Sequence, residues 1–283
     1  MDLIDLHVHS TISDGTFTPE ELVAYAHSKG LRAIALTDHD TVNGVKACVL
    51  AGQKLNIEVI PGIEFSGSYA NREVHILGYY IDFEHPEFLA KLNSLILARG
   101  KRNTVILEKL AKQGFLLTQD DIHAVTPEDA VLTRAHIAMA LFNKGYIQER
   151  SEAFSRYIGE GCPCYVPKAC YTAKECIDLI HQAGGIAVLA HPMLYRYSRS
   201  EITQVIGTLK KEGLDGVECL YSTHTQDDTH HLLQVCRNLS LLPTGGSDFH
   251  GSNKAGIDLG TGYGKLAIPY DFVEGIKAHL GLL

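Results

Sequence analysis

Fifteen histidines occur in this chain of 283 residues, and several stand beside Asp, Ser or Pro at the ends of apolar runs. His7-Val8-His9 closes one such run. Alternate residues of a strand face the same side, so these two imidazoles can converge on one ion. Asp14 follows in Ser13-Asp14-Gly15, where it could equally be an ordinary turn aspartate. Asp38-His39 closes a second run. Asp38 is a candidate catalytic carboxylate or partner of a metal-bound imidazole, and a helix cap is an equal alternative. Glu64 follows Pro61-Gly62-Ile63, and its two oxygens could bridge two cations. His75 lies within the strand-like Glu73-Val74-His75-Ile76-Leu77. His191 ends the apolar Ile186 to Ala190, and Pro192 stops the strand there. Ser247-Asp248-Phe249-His250 again sets two ligand types two residues apart. Mixed nitrogen and oxygen donors without thiolate suit manganese, iron or zinc. Nine such candidates exceed one mononuclear site, so two or three divalent metals are expected.

The elements that must position these residues alternate strand and helix. Strand patterns cover Leu3 to Val8, Leu31 to Leu36, Glu58 to about Glu64, Val74 to Tyr80, Ile186 to Ala190, Val217 to Leu220 and the approach to Gly245-Gly246. Thr18-Pro19-Glu20-Glu21 reads as a helix start with a capping box and proline in the first turn, and Gly30 closes that helix. Strands separated by helices imply a mainly parallel sheet or barrel, with chemistry on the rim at the carboxyl ends of the strands. Pro86 to Lys168 reads instead as helical, with turns at Gly114, Gly145 and Gly159-Glu160-Gly161. The expected division is a barrel of residues 1–88 and 169–283 with a helical insertion at 89–168.

Composition narrows the function. The net charge of −8 argues against a non-specific grip on duplex DNA. No run approaches the roughly 20 apolar residues of a membrane helix, and Met1-Asp2-Leu3-Ile4-Asp5 lacks the basic start of a signal peptide, so a cytoplasmic location is expected. The seven cysteines include the close trio Cys162, Cys164 and Cys170. Without a fourth ligand at suitable spacing they read as free thiols. Nothing in the chain sets an oligomeric state.

Taken in order, Asp5-Leu6-His7-Val8-His9-Ser10, Ser13-Asp14-Gly15, Leu36-Thr37-Asp38-His39-Asp40-Thr41, Pro61-Gly62-Ile63-Glu64, Val188-Leu189-Ala190-His191-Pro192 and Gly246-Ser247-Asp248-Phe249-His250 closely resemble the polymerase and histidinol phosphatase (PHP) family. The resemblance implies a distorted seven-stranded (β/α) barrel of the TIM-like kind with metals on its rim. It implies one metal on His7, His9, Glu64 and Asp248, a second on Glu64, His75 and His191, and a third on Asp14, His39 and His250. Some relatives carry histidine where this chain has Asp14.

Arg99-Gly100-Lys101-Arg102, Thr133-Arg134-Ala135-His136-Ile137-Ala138, Ala153-Phe154-Ser155-Arg156-Tyr157 and Tyr165-Val166-Pro167-Lys168 resemble the nucleotide-phosphatase and short-RNA exonuclease branch. That branch acts on 3′,5′-bisphosphonucleotides or trims the 5′ ends of short RNA. The expected activity is hydrolysis of such phosphate esters by metal-activated hydroxide. Arg99, Arg102, Arg134 and Lys168 would grip a second phosphate, a task suited to the planar guanidinium fork. Tyr221-Ser222-Thr223-His224 follows a strand end, which makes His224 the candidate acid or phosphate contact, with Ser222 beside it; His136 reads as structural. A metal-dependent amidohydrolase and a non-catalytic accessory module are the alternatives.

Overall fold

The structure, a computed structural model, describes residues 2–125, 132–167 and 170–283, with the side chain of Arg99 outside the description. Strand β1 (Leu3–Val8) is followed by α1 (Pro19–Ser28), β2 (Ala33–Leu36), α2 (Val45–Leu55), β3 (Glu58–Tyr69) and β4 (Arg72–Tyr79). Helices α3 (Pro86–Lys112), α4 (Gln119–His123), α5 (Arg134–Asn143) and α6 (Arg150–Ala153) come next, the last running into a π-turn over Phe154–Ile158. The alternation resumes with α7 (Ala173–Gln182), β5 (Ile186–Leu189), α8 (Arg199–Lys211), β6 (Gly216–Tyr221), α9 (Gln226–Leu239), β7 (Leu242–Gly246), the short β8 (Ile268–Pro269) and α10 (Asp271–Leu280).

Local chemistry sets several of these boundaries. The expected capping box opens α1: the Thr18 hydroxyl accepts from the Glu21 N–H while the Glu21 carboxylate accepts from the Thr18 N–H. Thr172, Ser198 and Thr225 start α7, α8 and α9 in the same way, each satisfying N–H groups that a helix start leaves without partners.

The strands form one sheet in the order β7-β6-β5-β4-β3-β2-β1-β8. The pairs β1–β2, β2–β3, β5–β6 and β6–β7 are parallel. β4 departs from the parallel expectation, because it forms a hairpin with β3 and pairs antiparallel with β5 as well. The turn at Ala70 and Asn71, both with positive φ, allows the direct return. β3 also runs on to Tyr69, so Glu64 lies within the strand and not at its end.

β1 has two partners along one edge. Leu3 and Ile4 pair with β8, while its carboxyl end meets the segment after β7: the Asp248 N–H donates to the His7 carbonyl at 2.9 Å and the His9 N–H to the Phe249 carbonyl at 2.9 Å. The barrel therefore closes at the rim where the candidate ligands stand. Gly246 permits this, since a Cβ there would lie 2.1 Å from the His7 Cβ. Buried aliphatic side chains fill the barrel and the layer between strands and helices. A separate apolar cluster that includes Ile106, Leu110, Ile137, Leu141 and Ile158 holds the central helices together. No described helix is long and apolar enough to cross a membrane.

Candidate metal centre

Glu64 is the hub of the rim. It is buried, and five imidazoles surround its carboxylate: His75 Nδ1 at 2.8 Å, His191 Nε2 at 3.0 Å and His7 Nε2 at 3.4 Å from Oε1, with His39 Nδ1 at 2.9 Å and His9 Nε2 at 3.3 Å from Oε2. Asp248 stands opposite, its Oδ1 at 3.3 Å from His9 Nε2, 3.4 Å from His250 Nδ1 and 3.6 Å from His7 Nε2. Asp14 closes the third side, 3.2 Å from His250 Nε2 and 3.9 Å from both His9 Nδ1 and His39 Nε2. The structure thus brings all nine expected ligand types together.

These donors fit metal ions better than they fit one another. His7 Nε2, His9 Nε2, His39 Nδ1 and Glu64 Oε2 are buried yet make no hydrogen bond. Buried polar atoms are otherwise almost always partnered. Close approach without hydrogen-bond geometry is what lone pairs directed at a common cation produce. Donor atoms lie within 4.8 Å of one another in four sets: His9, Asp14, His39 and His250; His7, His191 and Asp248; His7, His9 and Glu64; His39, Glu64 and His75. The sets share residues and so do not divide the nine among separate ions: His39 stands near Glu64 and His75, and His191 near His7 and Asp248, while His75 and His191 both meet Glu64 Oε1.

Charge in the cluster follows the same geometry. Burial raises the carboxyls of Asp14, Glu64 and Asp248, but the surrounding histidines, with Lys254 at Asp248, hold all three well below the usual carboxylate range. Burial also opposes protonated histidine. At His7 the carboxylates of Glu218, Glu64 and Asp248 outweigh it and hold the pKa well above the ordinary value. Burial is likewise overcome at His9 by Asp248 and Glu64 and at His75 by Glu64 and Glu73, and both rise to about 9. Burial wins at His39, which falls to about 4, and lowers His250.

Four residues missed by sequence reasoning orient this cluster. The fully buried Glu218 receives His7 Nδ1 at 3.0 Å and the His191 N–H at 2.7 Å. The detectable signal was a charged residue in the apolar run Val217-Glu218-Cys219-Leu220. Tyr221 donates its hydroxyl to Asp248 Oδ2 at 2.7 Å, and the Lys254 ammonium bonds the same oxygen, leaving Oδ1 to the histidines. The Tyr195 hydroxyl accepts the His75 N–H at 2.8 Å and donates to the Ala190 carbonyl at 2.9 Å, tying two ligand-bearing segments together. Those contacts hold strained backbone: φ is +24° at His191 and +59° at Asp248, a conformation costing of order 1–3 kcal/mol at a residue other than glycine.

Asp38 requires a correction. Its carboxylate is filled by the Ser10 N–H at 2.8 Å and by the Ser10 and Ser13 hydroxyls, each at 2.6 Å. It pins the loop after β1 and belongs to none of the four donor sets; the catalytic role expected for it falls away.

Beside Glu64 lies a cavity of about 200 Å³ lined by His39, His75, Glu73, Arg102 and Arg134. Arg134, the first residue of α5, approaches Glu73 at 3.6 Å. Arg102 is 8% exposed, donates its Nε–H to the Val166 carbonyl at 2.9 Å, and has one terminal nitrogen, NH2, buried without a partner. A larger cavity of about 770 Å³ adjoins Asp14, His39 and His250 and is walled by His136, Met139, Phe154 and Lys254. His136 is buried and its Nδ1 accepts the Thr133 N–H at 3.1 Å, a structural contact that caps α5. Lys168 and the side chain of Arg99 lie outside the described residues.

His224 and Ser222 line a different cavity, separate from the arginines. Ser222 donates its hydroxyl to the Ser247 carbonyl at 2.6 Å. His224 Nδ1 donates to the Cys219 carbonyl at 3.0 Å, and burial lowers its pKa. A neutral imidazole with its proton committed to a carbonyl is a poor proton donor, so the expected acid role of His224 is not supported by this geometry.

The chain belongs to the PHP domain family, whose model matches residues 5–160. It is 37% identical to a 5′-3′ exoribonuclease of Haemophilus influenzae over 87% of this chain and 89% of that one. It is 32% identical to a 3′,5′-nucleoside bisphosphate phosphatase of Chromobacterium violaceum over 91% and 90%. A solved structure from Bifidobacterium adolescentis, described as a candidate metal-dependent phosphoesterase, superposes with a TM-score of 0.87 at 30% identity over 98% of this chain and 96% of that one.

Proposed function

We propose that this chain is a metal-dependent phosphoesterase that hydrolyses phosphate esters of small nucleotides, either a 3′,5′-bisphosphonucleotide or the 5′ end of short RNA. The observation that carries this reading is the buried Glu64 carboxylate ringed by five imidazoles with Arg102 and Arg134 in the adjoining cavity. The relatives named for exoribonuclease and bisphosphate phosphatase activity support the same substrate class.

His7, His9, Asp14, His39, Glu64, His75, His191, Asp248 and His250 would hold two or three divalent ions, and this nitrogen and oxygen set suits manganese, iron or zinc. Such ions supply Lewis acidity and lower the pKa of water to near neutrality. The chain's own part is orientation. Glu218 fixes His7 with the proton on Nδ1, so that Nε2 presents a lone pair. Tyr221 and Lys254 hold one oxygen of Asp248 and aim the other at the cluster. Arg102 and Arg134 receive the phosphate that does not react and place the scissile one against the cluster; Arg99 and Lys168 are proposed to extend that grip. Residues 89–168 act as the substrate-gripping insertion on the barrel formed by 1–88 and 169–283. Water adds to phosphorus, the ester P–O bond breaks, and phosphate and an alcohol, or a nucleotide and a shortened RNA, leave.

The guanidinium groups of Arg102 and Arg134 beside the cluster favour an anionic substrate over the neutral amide of an amidohydrolase. The test is product release from manganese-loaded protein given a 3′,5′-bisphosphonucleotide, a short 5′-phosphorylated RNA and a panel of cyclic amides. Release of phosphate or mononucleotides without amide cleavage is expected. Amide cleavage alone, or no turnover of any substrate by protein carrying its full metal complement, overturns the reading.

A further inference from the structure

The cavity that contains His224 has no role in the chemistry above. It occupies about 830 Å³ at the carboxyl end of β6, within the size range of a ligand pocket and far larger than one phosphate needs. Tyr221 lies between it and the metal centre: its hydroxyl binds Asp248 Oδ2 at 2.7 Å, and its ring lies 5.5 Å from that of His191 and 5.2 Å from that of His224. Arg102 and Arg134 line a different cavity, reached past His39 and His75.

The lining has a consistent chemistry. Among the described residues no carboxylate lines it, although Asp and Glu number 33 in the chain against 25 Lys and Arg. Lys265 and His230 both line it. Tyr263 stands at its mouth, 54% exposed. His224 Nε2 is an acceptor with no partner, which a hydroxyl or amide donor would satisfy. The loop bearing Tyr263 is tied down. Gly262 exchanges backbone hydrogen bonds with Asp258 at 2.8 and 2.9 Å, and Asp258 in turn receives the Tyr25 hydroxyl at 2.7 Å and Lys29. Gly262 has φ +54° and passes so close to Ser222 that a Cβ would lie 2.7 Å from its hydroxyl, so glycine is what lets this loop form the cavity wall.

An exposed aromatic ring beside a lysine is a combination by which proteins hold single-stranded nucleic acid: the base stacks and the cation meets the backbone. The neighbouring carboxylate of Asp228 is committed to the Thr225 N–H and hydroxyl at 3.1 and 2.6 Å and to Arg199. We propose that this cavity binds the nucleotide on the far side of the scissile phosphate in a single-stranded RNA, with its base on Tyr263 and its phosphate at Lys265 and His230. This rests on the phosphoesterase reading and selects the RNA among its substrates. A bisphosphonucleotide, whose second phosphate is taken by the arginines, leaves the cavity empty.

The test is isothermal titration of the metal-loaded protein with a 5′-phosphorylated trinucleotide carrying slowly cleaved phosphorothioate linkages, and in parallel with a 3′,5′-bisphosphonucleotide. Both are repeated with the surface substitutions Tyr263→Ala and Lys265→Ala. Loss of one stacked base corresponds to a rise of roughly five- to a hundredfold in Kd for the trinucleotide with Tyr263→Ala, with the bisphosphonucleotide Kd unchanged within twofold. An unchanged trinucleotide Kd, or an equal rise for both ligands, overturns the proposal. Binding and turnover of the bisphosphonucleotide without measurable trinucleotide binding also overturns it, while leaving the phosphoesterase reading standing.

Discussion

Glu218→Gln is the sharpest perturbation of the centre, because it keeps the volume and changes only which atoms donate. In the native chain Oε2 accepts the His191 N–H at 2.7 Å and Oε1 faces His7 Nδ1 at 3.0 Å. A carboxylate acceptor requires the proton on Nδ1, so once a metal ion displaces the second proton it is Nε2 that presents a lone pair to the cluster, beside Glu64 and Asp248 at 3.4 and 3.6 Å. With glutamine, the amide oxygen can still serve the His191 N–H. The amide NH2 then confronts His7 Nδ1–H, donor against donor. The conflict is relieved when the imidazole proton moves to Nε2, the atom needed as ligand. Loss of such an orienting partner typically weakens metal binding 10- to 100-fold, or about 1.4–2.7 kcal/mol. The assay is metal content by mass spectrometry after equilibration against a graded chelator, with a thermal melt to confirm folding. A folded Glu218→Gln protein that binds metal as tightly as the native chain would refute the argument that this carboxylate sets the His7 tautomer.

Three further outcomes follow from the same geometry. The metal-free protein should be most stable near pH 6.5. His9 and His75, raised to about 9, contribute stability that is complete below their unfolded value and lost as pH climbs through 9. His39, lowered to about 4, and the likewise lowered His250 contribute stability that is lost as pH falls from 6.5 toward their folded values. A Tm rising steadily from pH 6.5 to 9 in chelated protein would contradict this. Arg134→Ala should raise KM for a bisphosphonucleotide roughly tenfold to a hundredfold, the worth of a charge-assisted hydrogen bond, while changing turnover of p-nitrophenyl phosphate little; equal losses on both substrates would remove its role on the second phosphate. Tyr195→Phe removes the hydroxyl shared by the His75 N–H and the Ala190 carbonyl and should cost about 1–3 kcal/mol of stability in denaturant titration, with weaker metal retention; an unchanged midpoint would show that the tie is dispensable.

The sequence by itself determined the ligand types and most of the scaffold. Strand–helix alternation, the capping box at Thr18 and the strand-end positions of His7, His9, His39 and His191 are local signals, carried by residue periodicity and by side chains that bond their own backbone neighbours. The family motifs were legible for the same reason, since each spans only a few residues. Tertiary structure decided what depends on residues far apart in the chain. The β3–β4 hairpin replaced a parallel pairing because the turn at Ala70 and Asn71 brings the chain straight back, and it carried β3 on past Glu64, which therefore lies inside a strand and not at its end. Asp38 was an equal candidate for catalysis or structure until its carboxylate met Ser10 and Ser13. Glu218 acquired its role from His7, 211 residues away, and the cavity beside Tyr221 from a loop that only Gly262 lets approach Ser222. A buried carboxylate is defined by the donors that surround it, and barrel closure alone brings those donors together.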